Sequence, residues 1–221
     1  AFFLPKETRS EPFFSSISDV WRRDKVFISG IKEFRQLGFI GSYLVFLFFL
    51  SAVHWGFINI LEPIYTTDLG FDEKFVGLIF AGFTLPFFLV SFYAGKYIDK
   101  QGAKRVTVAG LFLMAISMIG FGLSISPTVL FLFALVHGVG EAFLLVSVMS
   151  TIDELSSYHT KERISGVKVF AESAGFFVGP LIAGVAVALL NFSPTFLALG
   201  FATLGFALIT LFVSFDIGPN T

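Results

Sequence analysis

Two ionisable side chains lie four residues apart inside one long apolar run of the sequence. The stretch LVHGVGEAF contains His137 and Glu141, which at this spacing share one face of a helix and can hydrogen-bond each other. Ionisable groups at membrane depth are costly and usually functional. We therefore predict that the pair exchanges protons or contacts a substrate, Glu141 in particular. The alternative is a self-contained His–Glu pair with a structural role.

An earlier apolar run carries a polar stripe. Its polar and aromatic members recur at helical intervals on one face: Ser51, Trp55, Asn59, Glu62 and Thr66. Such a stripe suits the wall of a solute cavity, and we assign Trp55 and Asn59 to that wall. Glu62 either belongs to the same wall or reaches water at the outer membrane surface.

A third apolar run combines charged and small residues on one stripe, namely Lys168, Glu172, Gly175 and Gly179. Together with Ala183, the two glycines form a ridge of small residues that allows another helix to approach closely. Glu172 is therefore predicted to face another helix. It serves there either as an ion-pair partner of Lys168, one turn away, or as a substrate-binding group.

The composition indicates the solvent that surrounds these residues. Charged residues make up 14% of the chain and hydrophobic residues 55%, whereas about a quarter of a soluble domain is charged. With a mean hydropathy of +0.84, the chain is too apolar for one soluble core, and a lipid bilayer is expected. The net charge of −1 does not favour nucleic acid, and no cysteine is present for a disulfide or a thiolate metal site.

Six apolar segments are long enough to cross the bilayer as helices, which takes about 20 residues each. They lie at about 39–66, 75–95, 106–125, 128–150, 164–190 and 195–215. The sequence therefore predicts an all-α membrane protein with six transmembrane helices. The third and sixth carry no ionisable residue, whereas the first, fourth and fifth carry the groups described above.

Basic residues fall unevenly on the two sides of these segments. Fourteen of the fifteen lie on the side of the amino terminus, and only Lys74 lies opposite. The positive-inside rule makes that side cytoplasmic and places both termini there. The predicted parts are a cytoplasmic segment 1–38, a transmembrane part 39–216 and a cytoplasmic tail 217–221. Residues 19–39 form either an amphipathic interfacial helix or an irregular linker.

The turn GKYIDKQGAKRV at 95–106 has a regular spacing of glycine, aspartate and cations. It resembles the loop signature of the major facilitator superfamily of secondary transporters, matched here at Gly95, Asp99, Lys100, Gly102, Lys104 and Arg105. A second stretch, GFFVGPLIAG at 175–184, resembles the glycine–proline motif of that family. It supplies the predicted helix-packing residues Gly175, Gly179, Pro180 and Gly184.

The resemblance implies a fold. In that family, twelve helices form two six-helix halves, each built from two inverted three-helix repeats. This chain would be one half of a major facilitator fold. We expect the carboxy-terminal half, because the opening AFFLPKETRSEP looks like the end of a sixth helix entering the central loop. The first and fourth helices would then line the cavity.

The resemblance also implies a role for the 95–106 turn. Asp99 would contact the start of the fifth helix near Arg163 and hold the cytoplasmic side closed in one conformation. Gly95 would permit a close backbone approach at that contact. A contact present in only one state biases a two-state equilibrium. The alternative is that the basic turn serves only to set topology.

The leading hypothesis for function is a secondary active transporter that works by alternating access. We expect proton coupling and efflux of amphipathic or cationic small molecules; the alternative is an uptake carrier for sugars or small metabolites. No Walker-type loop is present in the sequence. An intramembrane enzyme is disfavoured because the H-x-x-x-E spacing lacks the second histidine of a zinc site. A non-transporting assembly partner would not need Glu141.

The expected partners follow from this hypothesis. They are a small-molecule substrate, protons, the lipid bilayer and a second six-helix half, with no nucleic acid. We expect neither a cofactor nor a metal, and no catalytic residue. The expected location is the plasma membrane, or inner membrane.

Overall fold

The computed structural model describes residues 38–156 and 161–215, and within these ranges the chain is helical apart from short turns. The helices are α1 (Gly38–Asp68), α2 (Glu73–Gln101), α3 (Ala103–Leu123), α4 (Pro127–Leu155), α5 (Lys161–Leu190) and α6 (Phe192–Phe212). All six are long and apolar enough to cross a membrane. The predicted amphipathic helix before the first span and the predicted tail 217–221 lie outside the described residues.

The turn between the second and third helices is shorter than the sequence predicted. The second helix was expected to end at about 95, which is wrong, and the third to begin at about 106, three residues later than observed. Helix α2 continues to Gln101, and Gly102 alone separates it from α3 with a φ of 84°. Glycine adopts this left-handed conformation without a Cβ clash. Most of the 95–106 segment is therefore helical, and its charged residues lie at the end of α2 and the start of α3.

Contacts between helices cross from the first triplet, α1–α3, to the second, α4–α6. The main pairs are α1 with α5, α2 with α4, α3 with α4, and α3 with α6, whereas α1–α2 and α5–α6 touch little. Exchanging the triplets maps three of these four pairs onto one another, since α1–α5 becomes α4–α2 and α3–α6 becomes itself, whereas α3–α4 has no equally close counterpart. This pattern agrees with two three-helix repeats interleaved in one six-helix half.

Helices α1 and α5 approach each other along a seam of glycines. A Cβ at Gly175 would lie 2.6 Å from the Phe49 carbonyl oxygen, and one at Gly179 would lie 2.5 Å from the Val53 carbonyl oxygen. Only glycine fits at these two positions without moving a backbone. Gly184 makes no such contact within the described residues, because it is exposed and a Cβ there meets no atom within 4 Å. Its packing role stays a prediction.

Pro180 packs inside this seam. A Cβ at Gly56 of α1 would lie 2.8 Å from Pro180 Cδ, so the proline ring fills the space left by the glycine. Helix α5 nevertheless continues past Pro180 to Leu190. The ring is therefore accommodated by close packing and does not end the helix.

Candidate functional site

The polar face of α1 turns toward α4. Ser51 is buried on this face, and its hydroxyl donates a hydrogen bond to Glu141 Oε1 across the helix pair. Glu141 is fully enclosed, and its second oxygen, Oε2, has no hydrogen-bond partner among the described residues. Helix α4 thus presents a carboxyl group that is half satisfied by α1, with one oxygen free to interact with a proton or solute.

His137 lies one turn away on α4 and is also fully buried. The predicted hydrogen bond between His137 and Glu141 is wrong. Neither ring nitrogen of His137 has a partner among the described residues, and its neighbours are the rings of Phe83, at 5.2 Å, and His54, at 6.1 Å between centroids. The four-residue spacing puts both side chains on one face, but Glu141 reaches toward Ser51 instead.

His54 differs from His137 because both of its ring nitrogens are bonded. Its Nδ1 donates to the Leu50 carbonyl oxygen at 3.0 Å, and Nε2 shares a hydrogen bond with Thr203 Oγ1 at 2.9 Å. This bond ties α1 to α6, on which Thr203 is also buried. His54 is a satisfied crosslink between helices, and its neighbour His137 is the unsatisfied member of the pair.

A cavity of about 190 Å³ opens beside these groups. Its polar lining consists of Ser51 and Glu172, and the rest of the lining is apolar: Phe48, Ala52, Trp55, Phe87, Leu145 and Phe176. The Trp55 ring is held edge-on by Phe83 and Phe87, with centroids 4.8 and 5.3 Å away. The cavity therefore combines aromatic surfaces with a carboxylate, and Ser51 joins it to Glu141.

Glu172 does not pair with Lys168, so that alternative is wrong. Lys168 Nζ instead lies 2.6 Å from Asp153 Oδ1 on α4 and forms an ion pair there. Glu172 is half-buried in the cavity wall. The stripe on α5 is thus divided, with the lysine serving the α4–α5 contact and the glutamate facing the cavity.

The residues in the outer part of the α1 stripe lie in different surroundings. Glu62 is buried, with 2% of its surface exposed, and its Oε1 has no partner among the described residues; the proposed contact with outer water is therefore wrong for this conformation. Asn59 is exposed and donates its side-chain amide to the Trp55 carbonyl oxygen at 2.7 Å. Thr66 bonds back to the Glu62 carbonyl oxygen. None of them lines the cavity beside Ser51.

The residues of the loop signature lie at the junction of α2 and α3. Gly95 is exposed and a Cβ there would meet nothing within 4 Å, so the expected close backbone approach is absent in this conformation. Asp99, Lys100 and Arg105 are exposed and Lys104 is half-buried. Asp99 forms no ion pair within the described residues, and the side chain of Arg163 lies outside them. The gating role of Asp99 stays a prediction.

Sequence reasoning missed Thr203 and the phenylalanines of the cavity wall. Helix α6 was set aside because it carries no ionisable residue. Its three buried threonines, Thr195, Thr203 and Thr210, nevertheless share one helical face. That pattern could have shown which side of α6 meets the polar interior. With 32 phenylalanines in the chain, composition does not single out those that line the cavity.

Comparison with known proteins decides the family. The family model of the Major Facilitator Superfamily matches residues 44–220, which include almost all of the six helices. The chain belongs to the Major Facilitator Superfamily. It is accordingly an integral membrane protein of a transporter family, with the six helices of one half of the major facilitator fold.

Curated relatives of this superfamily member include resistance proteins. The chain is 28% identical over 156 residues to "Multidrug resistance protein 1" of Bacillus subtilis (strain 168), covering 71% of this chain and 40% of that protein. It is 28% identical over 168 residues to "Quinolone resistance protein NorA" of Staphylococcus aureus (strain Mu50 / ATCC 700699), covering 76% of this chain and 42% of that protein. The matched part of the chain thus spans less than half the length of these relatives.

Proposed function

We propose that this chain is one half of a secondary active transporter that works by alternating access and exports small molecules in exchange for protons. The observation that carries the proposal is the enclosed carboxyl group of Glu141, bonded through Ser51 to the wall of a cavity lined by α1, α2, α4 and α5. A buried ionisable group beside a solute cavity is the arrangement that proton-coupled carriers require.

The proton-exchanging group in this proposal is Glu141. One of its oxygens accepts from Ser51 and the other is free among the described residues, so a proton can be taken up without breaking the Ser51 bond. His137, buried one turn away with two unbonded nitrogens, is the group placed to assist this transfer. Glu62 is a second buried carboxyl group farther along α1 and is a secondary candidate.

The solute in this proposal is an amphipathic or cationic molecule. Six of the eight residues that line the cavity are apolar, three of them phenylalanines and one a tryptophan. A sugar, the solute of the alternative carrier, has many hydroxyl groups that lose hydrogen bonds to water on binding, and Ser51 and Glu172 alone provide few replacements. The names of two relatives, which refer to multidrug and quinolone resistance, support efflux.

The proposed transporter is completed by a second six-helix half. A single half encloses the solute on one side only, and the relatives are more than twice as long as the part matched here. We place the helix ends next to Gly102 on the cytoplasmic side of the plasma membrane, because fourteen of the fifteen basic residues fall on that side.

Replacing Glu141 tests the proposed function. In full-length protein reconstituted into vesicles, Glu141→Gln is expected to abolish movement of a lipophilic cationic dye driven by a pH gradient, since glutamine keeps the shape and loses the exchangeable proton. The measurement is dye accumulation after an imposed pH jump. The matched control is Glu154→Gln, which removes an exposed carboxylate at the end of α4 and should leave transport intact.

The same assay separates the alternatives. Unchanged pH-driven transport in Glu141→Gln would remove Glu141 from the coupling mechanism. Gradient-driven uptake of a radiolabelled hexose, with no movement of the dye, would replace efflux of cations by the sugar-carrier alternative.

A further inference from the structure

A groove separates α3 and α6 at one end of the helix pair. The two helices run antiparallel, since a Cβ at Gly122, near the end of α3, would lie 2.9 Å from the carbonyl oxygen of Ser193, near the start of α6. The opposite end of the pair holds a groove of about 400 Å³. It is lined by Lys104, Arg105, Val108 and Ala109 of α3 and by Leu211 of α6. Two cations therefore share a groove with three apolar residues, and none of the residues that line it is acidic.

This groove lies away from the cavity described above. The residues that line the cavity belong to α1, α2, α4 and α5, and none of them comes from α3 or α6. A second half that completes the cavity therefore covers another side of the protein. Ala109 and Leu211 are exposed on two helices that are long and apolar enough to cross a membrane. The groove accordingly faces lipid.

The order of residues along α3 matches the layers of a bilayer. The 21 residues of α3 rise about 31 Å, which is close to the thickness of the hydrocarbon core. Its first turn, with Lys104 and Arg105, thus lies at the boundary with the lipid headgroups. Val108 and Ala109 follow four residues later, about 6 Å deeper. The groove is therefore cationic at the membrane surface and apolar below it, in the order in which a phospholipid carries its phosphate and its acyl chains.

The two cations of the groove are available to a ligand. Within the described residues, neither Lys104 nor Arg105 forms an ion pair or a hydrogen bond through its side chain. The nearest carboxylate in sequence, Asp99, belongs to α2 and does not line the groove. Guanidinium and ammonium groups are the side chains that recognise phosphate. Basic pockets between membrane helices bind anionic headgroups for this reason.

The apolar part of the groove distinguishes a lipid from a free anion. Groups in a membrane associate through close packing, because lipid tails are as apolar as the helices. The short side chain of Ala109 leaves space beside Leu211, in which an acyl chain can pack. A free phosphate ion has no group to place there. The combination of cations and an apolar channel therefore fits a phospholipid better than it fits an inorganic ion.

We propose that the groove between α3 and α6 binds one anionic phospholipid, with its phosphate at Lys104 and Arg105 and one acyl chain along Val108, Ala109 and Leu211. The bound lipid contacts one helix of each triplet. The inference goes beyond the proposed function and does not depend on it, because it requires only that α3 and α6 cross the membrane. It concerns neither the solute nor the coupling proton.

The test compares two phospholipids that differ in charge and share the same acyl chains. Dioleoylphosphatidylglycerol and dioleoylphosphatidylcholine are added to the purified full-length protein in an uncharged detergent, and native mass spectrometry measures the affinity for the first bound lipid. We expect the anionic lipid to bind about tenfold more tightly or better, because two basic residues at the membrane surface attract it. In the double variant Lys104→Gln/Arg105→Gln, this preference should disappear.

A matched control removes the same charge from the neighbouring helix. Lys96 and Lys100 are exposed on α2 and do not line the groove. The double variant Lys96→Gln/Lys100→Gln should therefore change the affinity for the anionic lipid by less than about twofold. Equal losses in the two double variants would show general attraction to positive charge and would overturn the proposed site, as would equal affinities for the two lipids in the unsubstituted protein.

Two further measurements test the apolar part of the groove. Ala109→Phe keeps both cations and fills the space beside Leu211, so binding of the anionic lipid should be lost although the charge is unchanged. Inorganic phosphate at the same concentration as the lipid should not displace it. Displacement by inorganic phosphate, or normal lipid binding in Ala109→Phe, would overturn the assignment of a phospholipid. The lipid-binding measurements use no pH gradient, so a failure of the proposed transport function would leave their outcome unaffected.

Discussion

Helix α4 contacts α3 and α1 through interfaces of opposite character. Against α3 the two backbones nearly touch, because a Cβ at Gly140 would lie 2.8 Å from the Gly110 carbonyl oxygen and one at Gly110 would lie 2.7 Å from that of Gly140. Thr107 and Ser147 share a hydrogen bond of 2.8 Å across this contact, in which one hydroxyl donates to the other, and the accepting hydroxyl donates to a carbonyl oxygen of its own helix. The α3–α4 interface is closely packed and its hydroxyl groups are satisfied.

Against α1, the same helix buries groups that stay partly unsatisfied. Glu141 accepts from Ser51 but keeps one oxygen without a partner, and His137 keeps both nitrogens without one among the described residues. Each such group costs about 1–3 kcal/mol when buried. These unsatisfied groups therefore make the α1–α4 interface less stable next to the cavity.

The difference follows from the physics of helices in lipid. Apolar burial does not draw helices together when lipid tails are equally apolar, so close packing of small residues and satisfied hydrogen bonds must do so. The α3–α4 interface supplies that cohesion. The α1–α4 interface can hold ionisable groups because the closely packed α3–α4 interface keeps α4 in place.

The largest expected effect comes from separating α3 and α4. Gly140→Val places side-chain atoms where backbone atoms of Gly110 and Met114 already lie within 3 Å of a Cβ, so we expect a loss of about 3 kcal/mol in stability. The measurement is thermal unfolding of the purified full-length protein. Gly205→Val in α6 is the matched control, because a Cβ there meets nothing within 4 Å; equal destabilisation of both variants would break the comparison.

The sequence predicted the six spans but only part of their boundaries, and the reason is visible at Gly102. Charged residues around it were interpreted as a turn, yet helix ends at a membrane surface tolerate Lys100 and Lys104 because long side chains reach water. A single glycine at positive φ is enough to reverse the chain. Charge therefore marked the membrane boundary and not the end of the helix.

The site was predictable as a set of residues and not as a set of contacts. Ser51, Trp55 and Glu141 follow from helical periodicity and from the cost of buried charge. The partner of Glu141 does not, because four-residue spacing favoured His137 while the observed donor lies ninety residues away in sequence. Such pairs depend on how each helix is rotated about its axis, which is set by glycine contacts such as those of Gly140.

A smaller effect of opposite sign is expected at His137. Since neither ring nitrogen is bonded within the described residues, His137→Leu removes an unsatisfied group and keeps a similar volume. We expect the protein to become more stable by about 1 kcal/mol, while pH-driven transport falls if the imidazole assists Glu141. Thermal unfolding and the vesicle assay are compared on the same preparation. A clear loss of stability would show that His137 contributes to cohesion and would make the two interfaces alike.

The smallest effect is expected at Thr107, in the satisfied interface. Thr107→Val keeps the shape and removes the hydroxyl that bonds to Ser147 at 2.8 Å and to the Ala103 carbonyl oxygen at 2.9 Å. Hydrogen bonds between membrane helices contribute about 0.6 kcal/mol on average, and in the variant the Ser147 hydroxyl can donate to the Phe143 carbonyl oxygen. We therefore expect a loss of about 0.6 kcal/mol in thermal unfolding and no change in transport. If Thr107→Val lowers stability and His137→Leu raises it, the polar groups of α4 contribute to cohesion on the α3 side and to chemistry on the α1 side. A gain in stability in Thr107→Val would instead show that glycine packing, and not hydrogen bonding, holds α3 to α4.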